Sequence, residues 1–197
     1  MTDIVALDKL EARAKTCTGC PLHQSRGQLI FGQGNKEAPI MLVGEAPGTE
    51  EDRTGIAFSG KSGQLLDKIL ATCNFERDEH IYISNIIKCH PPGNRKPSPS
   101  EMKTCVPILM RQITLIQPKI IVLLGSVAIQ GLIWPNAKIT RERGKWNYWL
   151  ERWVMPTYHP SALLRNPKLK YPAWDDFKEV VRKYRELVDE NHVCQYV

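Results

Sequence analysis

The chain has 197 residues, 42% hydrophobic and 24% charged, and its 27 Lys or Arg against 21 Asp or Glu give a net charge of +6. These values exclude a disordered, collagen-like or fibrous protein and fit one soluble domain spanning residues 1–197. The apolar run from Ile120 to Leu124 is too short to cross a bilayer, and Met1-Thr2-Asp3-Ile4 lacks the basic, apolar start of a secretion signal, so a cytoplasmic protein is expected.

In chain order, residues 7–15 read as a short helix that stops at the tight turn Cys17-Thr18-Gly19-Cys20-Pro21. A continuously apolar strand follows at Ile40-Met41-Leu42-Val43 and ends at Gly44-Glu45-Ala46-Pro47-Gly48. From Lys61 onward, Leu65, Leu66, Ile69 and Leu70 stand at helical spacing. Ile81-Tyr82-Ile83-Ser84 is a second strand, and Pro91-Pro92-Gly93-Asn94-Arg95 forces a loop. Ser98 and Glu101 have the spacing of a capping box, opening a helix to about Ile116 in which Pro107 predicts a kink or a displaced start. Residues 120–124 form a third strand and 126–133 a short helix. Residues 154–157 form a fourth strand, whose Pro156 suggests an edge or irregular place, and 174–191 close the chain as an amphipathic helix. Strands alternating with helices predict an α/β fold: a central parallel four-stranded sheet flanked by helices on both faces.

Ligands of such sheets bind beyond the carboxyl ends of the strands. The residues there are Gly44-Glu45, Asn85, Gly125-Ser126 and His159-Pro160-Ser161, which gather a carboxylate, an amide, a hydroxyl and an imidazole at one rim. Each alone is also a common turn residue.

Cys17-x-x-Cys20 is followed after 68 residues by Cys89 and after 15 more by Cys105. A Cys-x-x-Cys turn brings two thiolates to one centre and two further cysteines complete four ligands; on spacing alone zinc and iron-sulfur are both open. Cys73 and Cys194 read as ordinary thiols. Residues 138–170 carry eight Lys or Arg against Glu142 and Glu151, interleaved with Trp146, Tyr148, Trp149, Trp153 and Tyr158, as on a surface that tracks a nucleic-acid backbone.

Four features together resemble the family 4 uracil-DNA glycosylases: Gly44-Glu45-Ala46-Pro47-Gly48 with Glu51-Asp52 behind it, Ile83-Ser84-Asn85, the four cysteines, and His159-Pro160-Ser161. The resemblance implies a DNA-repair enzyme with a structural [4Fe-4S] cluster on Cys17, Cys20, Cys89 and Cys105. It would act as a monomer on uracil in single- or double-stranded DNA, hydrolysing the bond to deoxyribose and leaving an abasic site. A flipped uracil would be read by Asn85, stacked on Phe58 over Gly44, and met at O2 by His159. Ala46 stands where the related family 1 has an Asp, so Glu45, with Glu51 second, is left to position water. Leu163 or Leu164 resembles the wedge that fills the flipped base's gap, and Arg95, Ser126, Ser161 and Arg165 are backbone-contact candidates with Asn94. No Lys stands in the first loop to attack the sugar, so a monofunctional glycosylase is expected. Two other readings stay open: a non-catalytic or covalently trapping binder of uracil-containing DNA, which the short form of Cys89-His90-Pro91-Pro92-Gly93 disfavours, and a zinc-stabilised nucleic-acid-binding module.

Overall fold

The computed structural model describes residues 3–197; Met1 and Thr2, part of the N-terminal stretch read above, lie outside the described residues. In chain order the elements are α1 (Ile4–Lys15), β1 (Gln33–Gly34), β2 (Ile40–Gly44), α2 (Thr49–Thr54), α3 (Lys61–Thr72), α4 (Arg77–His80), β3 (Ile81–Asn85) and α5 (Pro99–Ile116). They continue with β4 (Ile120–Leu124), α6 (Ser126–Leu132), α7 (Ile139–Glu142), β5 (Asn147–Trp149), β6 (Arg152–Thr157), α8 (Pro160–Arg165) and α9 (Lys170–Leu187).

The sheet order is β1-β3-β2-β4-β6-β5. The expected parallel strands β3, β2, β4 and β6 form its centre, and two short antiparallel strands, β1 and β5, extend it to six. Every residue of β2, β3 and β4 is buried, as strands covered on both faces must be. Alternation divides them: Met41 and Val43 pack with Leu109 and Ile113 of α5, while Ile40 and Leu42 pack with Leu66 and Leu70 of α3 and Phe177 and Val181 of α9.

Three expectations are corrected. β6 is an interior strand despite Pro156, because its partner β5 pairs only with Arg152, Trp153 and Val154 and so stops short of the proline. α5 opens at Pro99 with Ser98 Oγ accepting from the Glu101 N–H, as the capping box requires, and then runs unbroken through Pro107. Pro107 and Lys103, four residues before it, are both exposed, so the carbonyl that loses its helical donor faces water. The closing helix spans Lys170–Leu187 rather than 174–191.

Candidate active site

The parallel register brings the ends of β2, β3, β4 and β6 to one rim, where a groove of about 1040 Å³ opens. Glu45, Phe58, Asn85, Gly125, Ser126 and His159 all line it. Asn85, the last residue of β3, is 1% exposed, and its Oδ1 has no hydrogen-bond partner although it is buried. An orphaned buried acceptor is costly, and this one lies at the groove.

The neighbours of Asn85 are held by close backbone packing. Gly44 pairs with Asn85 across the strands, and a Cβ at position 44 would lie 2.4 Å from Asn85 Oδ1 and 2.6 Å from Phe58 Cζ. Phe58 has a left-handed φ of 53°. Arg77 fixes that turn by donating to the carbonyls of Ala57 (2.9 Å) and Phe58 (3.1 Å), while its Nε meets Asp67 at 2.7 Å. The Phe58 and His159 ring centroids are 5.8 Å apart.

His159 caps α8, and its Nδ1 accepts the Ser161 N–H at 3.1 Å with Ser161 Oγ at 2.9 Å. The proton of the neutral ring therefore sits on Nε2, the nitrogen left for a ligand. Burial, with the nearby Arg165 charge, pushes the His159 pKa down to about 4. Ser161 thus orients the imidazole, and its hydroxyl is engaged there instead of standing free for phosphate.

The two carboxylates part company. Glu51 Oε2 accepts the Gly48 N–H and Oε1 the Gly60 N–H, both at 2.9 Å, so it caps α2 and ties it to the start of α3. This corrects its place as a water-positioning candidate. Glu45 is half-buried; burial raises its pKa, and Lys96 and Arg165 partly oppose the rise.

Leu163 is likewise corrected: at 1% exposure it is a core residue, and its neighbour Leu164, 44% exposed, is the leucine available to another molecule. Arg95 lines the groove but is held by Glu101 in a two-pronged ion pair at 2.6 and 2.9 Å. Lys61 and Lys96, which sequence reasoning missed, line the groove with Arg165, and no ion pair of the described residues engages these three. Lys61 was findable, since it directly follows the loop that carries Phe58. Among the basic residues of 138–170, Arg165 alone lines the groove. Arg143 is paired with buried Asp176, and Trp146, Tyr148 and Trp153 gather near Lys183 along β5 and β6.

Cys17, Cys20, Cys89 and Cys105 line one small cavity together with Gly19, Arg26 and Thr104. Among the described residues no group of three or more His, Cys, Asp or Glu side chains is arranged to hold a single metal ion. Donors face the sulfurs: Gly19 N–H to Cys17 at 3.4 Å and Arg26 Nη1 to Cys89 at 3.2 Å. Such contacts suit thiolates. Burial pushes the Cys105 thiol up to about 11, so a ligand there would have to displace a proton. Cys73 and Cys194 are buried in the core beside α9, as ordinary thiols.

The family model described as the uracil DNA glycosylase superfamily matches residues 31–182. A type-4 uracil-DNA glycosylase of Thermotoga maritima is 43% identical over 81% of this chain and 84% of its own. One of Archaeoglobus fulgidus is 39% identical over 89% of this chain and 92% of its own. A DNA polymerase of Bacillus phage SP01 is 36% identical over 70% of this chain but only 15% of its own length, which places the match in a small part of a larger protein. With most of its length matched at these identities, and with an orphaned amide acceptor and a tautomer-fixed imidazole facing one groove, the chain belongs to the type-4 uracil-DNA glycosylases of the uracil DNA glycosylase superfamily.

Proposed function

We infer that the groove at the strand ends is where this glycosylase removes uracil from DNA, with Asn85 as the reader and His159 as the electrostatic catalyst. The observation that carries the assignment is the buried, unpartnered Oδ1 of Asn85. Uracil N3–H satisfies that acceptor and O4 takes the amide donor, whereas cytosine presents the opposite polarity at both positions and leaves buried groups unpaired. Phe58 offers its ring to the base, and Gly44 supplies the space for both side chains.

Breaking the glycosidic bond leaves negative charge on uracil and positive character on the sugar. His159 donates Nε2–H to O2 as a neutral imidazole, pre-aimed by Ser161, and needs no proton loss to do so. Glu45 positions the water and faces the cationic sugar; its two oxygens are free of the backbone bonds that occupy Glu51. The water's oxygen bonds to C1′ as the C1′–N bond breaks. One water proton is released and uracil leaves as the anion, to be protonated in solvent. Lys61, Lys96 and Arg165 contact phosphates, and Leu164 fills the vacated stack.

The four cysteines are read as the holders of a [4Fe-4S] cluster: they share one cavity, and N–H donors face two of the sulfurs. When bound, the cluster would tie the N-terminal turn to the 89–105 segment, and the hydrolysis transfers no electrons. The test is alkali cleavage after incubation with a single-uracil oligonucleotide: strand scission at the uracil is expected, and its absence with folded protein overturns the assignment.

A further inference from the structure

Lys88 is fully buried and lies outside the groove, yet its side chain makes three hydrogen bonds: to the Asn85 carbonyl (2.8 Å), Ser84 Oγ (2.5 Å) and Gln112 Oε1 (2.7 Å). No carboxylate is among its partners. Burying an amine is costly, and this one meets three neutral acceptors grouped around the last turn of backbone before the groove. Its acceptors are fixed in turn. Ser84 Oγ donates to the Phe31 carbonyl at 3.1 Å, and Gln112 Nε2 donates to the same carbonyl at 2.9 Å and to Tyr82 Oη at 3.3 Å. The Lys88 carbonyl accepts from Ile30 at 2.8 Å, so its main chain is pinned as well.

We propose that Lys88 is a positioning residue for uracil recognition: its bond to the Asn85 carbonyl, braced by Ser84 and Gln112, sets the backbone orientation that turns the Asn85 amide into the groove. β3 ends at Asn85, and past that point the ladder continues only through the amides of Ile86 and Ile87, which donate to the carbonyls of Gly44 and Glu45. That peptide is thus held at both ends, its N–H by the Gly44 carbonyl and its C=O by Lys88 Nζ. Without that donor the peptide after Asn85 is held at one end only, by the Ile86 N–H on the Gly44 carbonyl, and it gains freedom to tilt about that bond, carrying the Asn85 side chain with it. An error of about 1 Å in such a group costs on the order of 10²-fold in rate.

This inference rests on the reading of Asn85 given above, so the test is a double-mutant cycle on the full chain: wild type, Asn85→Ala, Lys88→Met and the double variant. Single-turnover excision from a single-uracil oligonucleotide, DNA affinity, thermal midpoint and iron content are measured on each. Lys88→Met is expected to slow excision by about tenfold or more with affinity and iron content unchanged, and to add nothing in the Asn85→Ala background. A wild-type rate in Lys88→Met overturns the proposal, as does an equal further loss in the Asn85→Ala background, which would mark a general structural role. A wild-type rate in Asn85→Ala would instead refute Asn85 as reader, a separate result. If Lys88→Met does not fold, Lys88→Gln, with two N–H groups for three acceptors, enters the same cycle under the same criteria.

Discussion

Substituting Gly44 by Ala adds one methyl group at the point where β2, Asn85 and Phe58 converge. The new Cβ would lie 2.4 Å from Asn85 Oδ1 and 2.6 Å from Phe58 Cζ, whereas ordinary contact begins at 3.4 Å. The differences, 3.4 − 2.4 and 3.4 − 2.6, require the two groups to retreat by 1.0 and 0.8 Å. Neither can do so freely, because Phe58 is held through its own carbonyl by Arg77 and Asn85 sits in the β2–β3 ladder. A displacement of about 1 Å in catalytic positioning corresponds to roughly 10²-fold in rate, or ~3 kcal/mol of barrier. Overpacking costs a further ~1–3 kcal/mol of stability. Single-turnover excision should therefore fall about a hundredfold, while DNA affinity, carried by phosphate contacts remote from Gly44, stays close to wild type. The assay is single-turnover kinetics on a uracil oligonucleotide, with anisotropy binding and a melting curve in parallel. A folded Gly44→Ala protein excising at the wild-type rate would refute the packing argument.

Asn85→Asp replaces the donor to uracil O4 by an acceptor; excision should fall by ~2 kcal/mol or more with binding retained, and an unchanged rate would exclude Asn85 from reading the base. Removing the groove cations in Lys96→Ala/Arg165→Ala should reduce the slope of log affinity against log salt by about two, and an unaltered slope would place both away from phosphate. Anaerobically purified protein should be brown and contain iron and sulfide, and Cys89→Ser should lose both; stoichiometric zinc without sulfide would contradict the cluster. The His159 pKa of about 4 lies below the ordinary 6.5, so the unfolded chain takes up a proton first as pH falls. Stability should thus be lost between pH 6.5 and 4, by up to ~3 kcal/mol, and His159→Gln should remove that component in urea titrations across pH. In Glu45→Gln, which lacks the other titrating group, residual excision should show no inflection near pH 6.5, whereas one there would contradict a neutral imidazole.

The order of strands and the residues at their ends were legible in the sequence because buried parallel strands are short apolar runs and function collects just past them. Asn85, His159 and Glu45 follow from that rule together with the family resemblance. What escaped was whatever depends on rotation about a short helix or on a partner far along the chain. Leu163 and Leu164 are adjacent, and only the orientation of α8 sends one into the core and the other outward. Glu51 was an acidic residue near a helix start in either reading, and its bond to the Gly60 amide decides its role. The basic stretch of 138–170 was visible as composition, but Arg143 is neutralised by Asp176, 33 residues away, which no local count reveals.

The two outermost strands bear on how the molecule behaves when crowded. The two central strands, β2 and β4, are wholly apolar, and a sheet of that kind with a long bare margin would accept a strand from another copy and grow. Here the margins are two residues, Gln33–Gly34, and three, Asn147–Trp149. The first ends at a glycine with φ of 118°, and the second runs into a turn whose Leu150 and Glu151 have φ of 47° and 62°. Neither margin is straight for long enough to template a further strand. Five residues, none of them lining the groove, thus close both edges of a strongly hydrophobic sheet against strand addition.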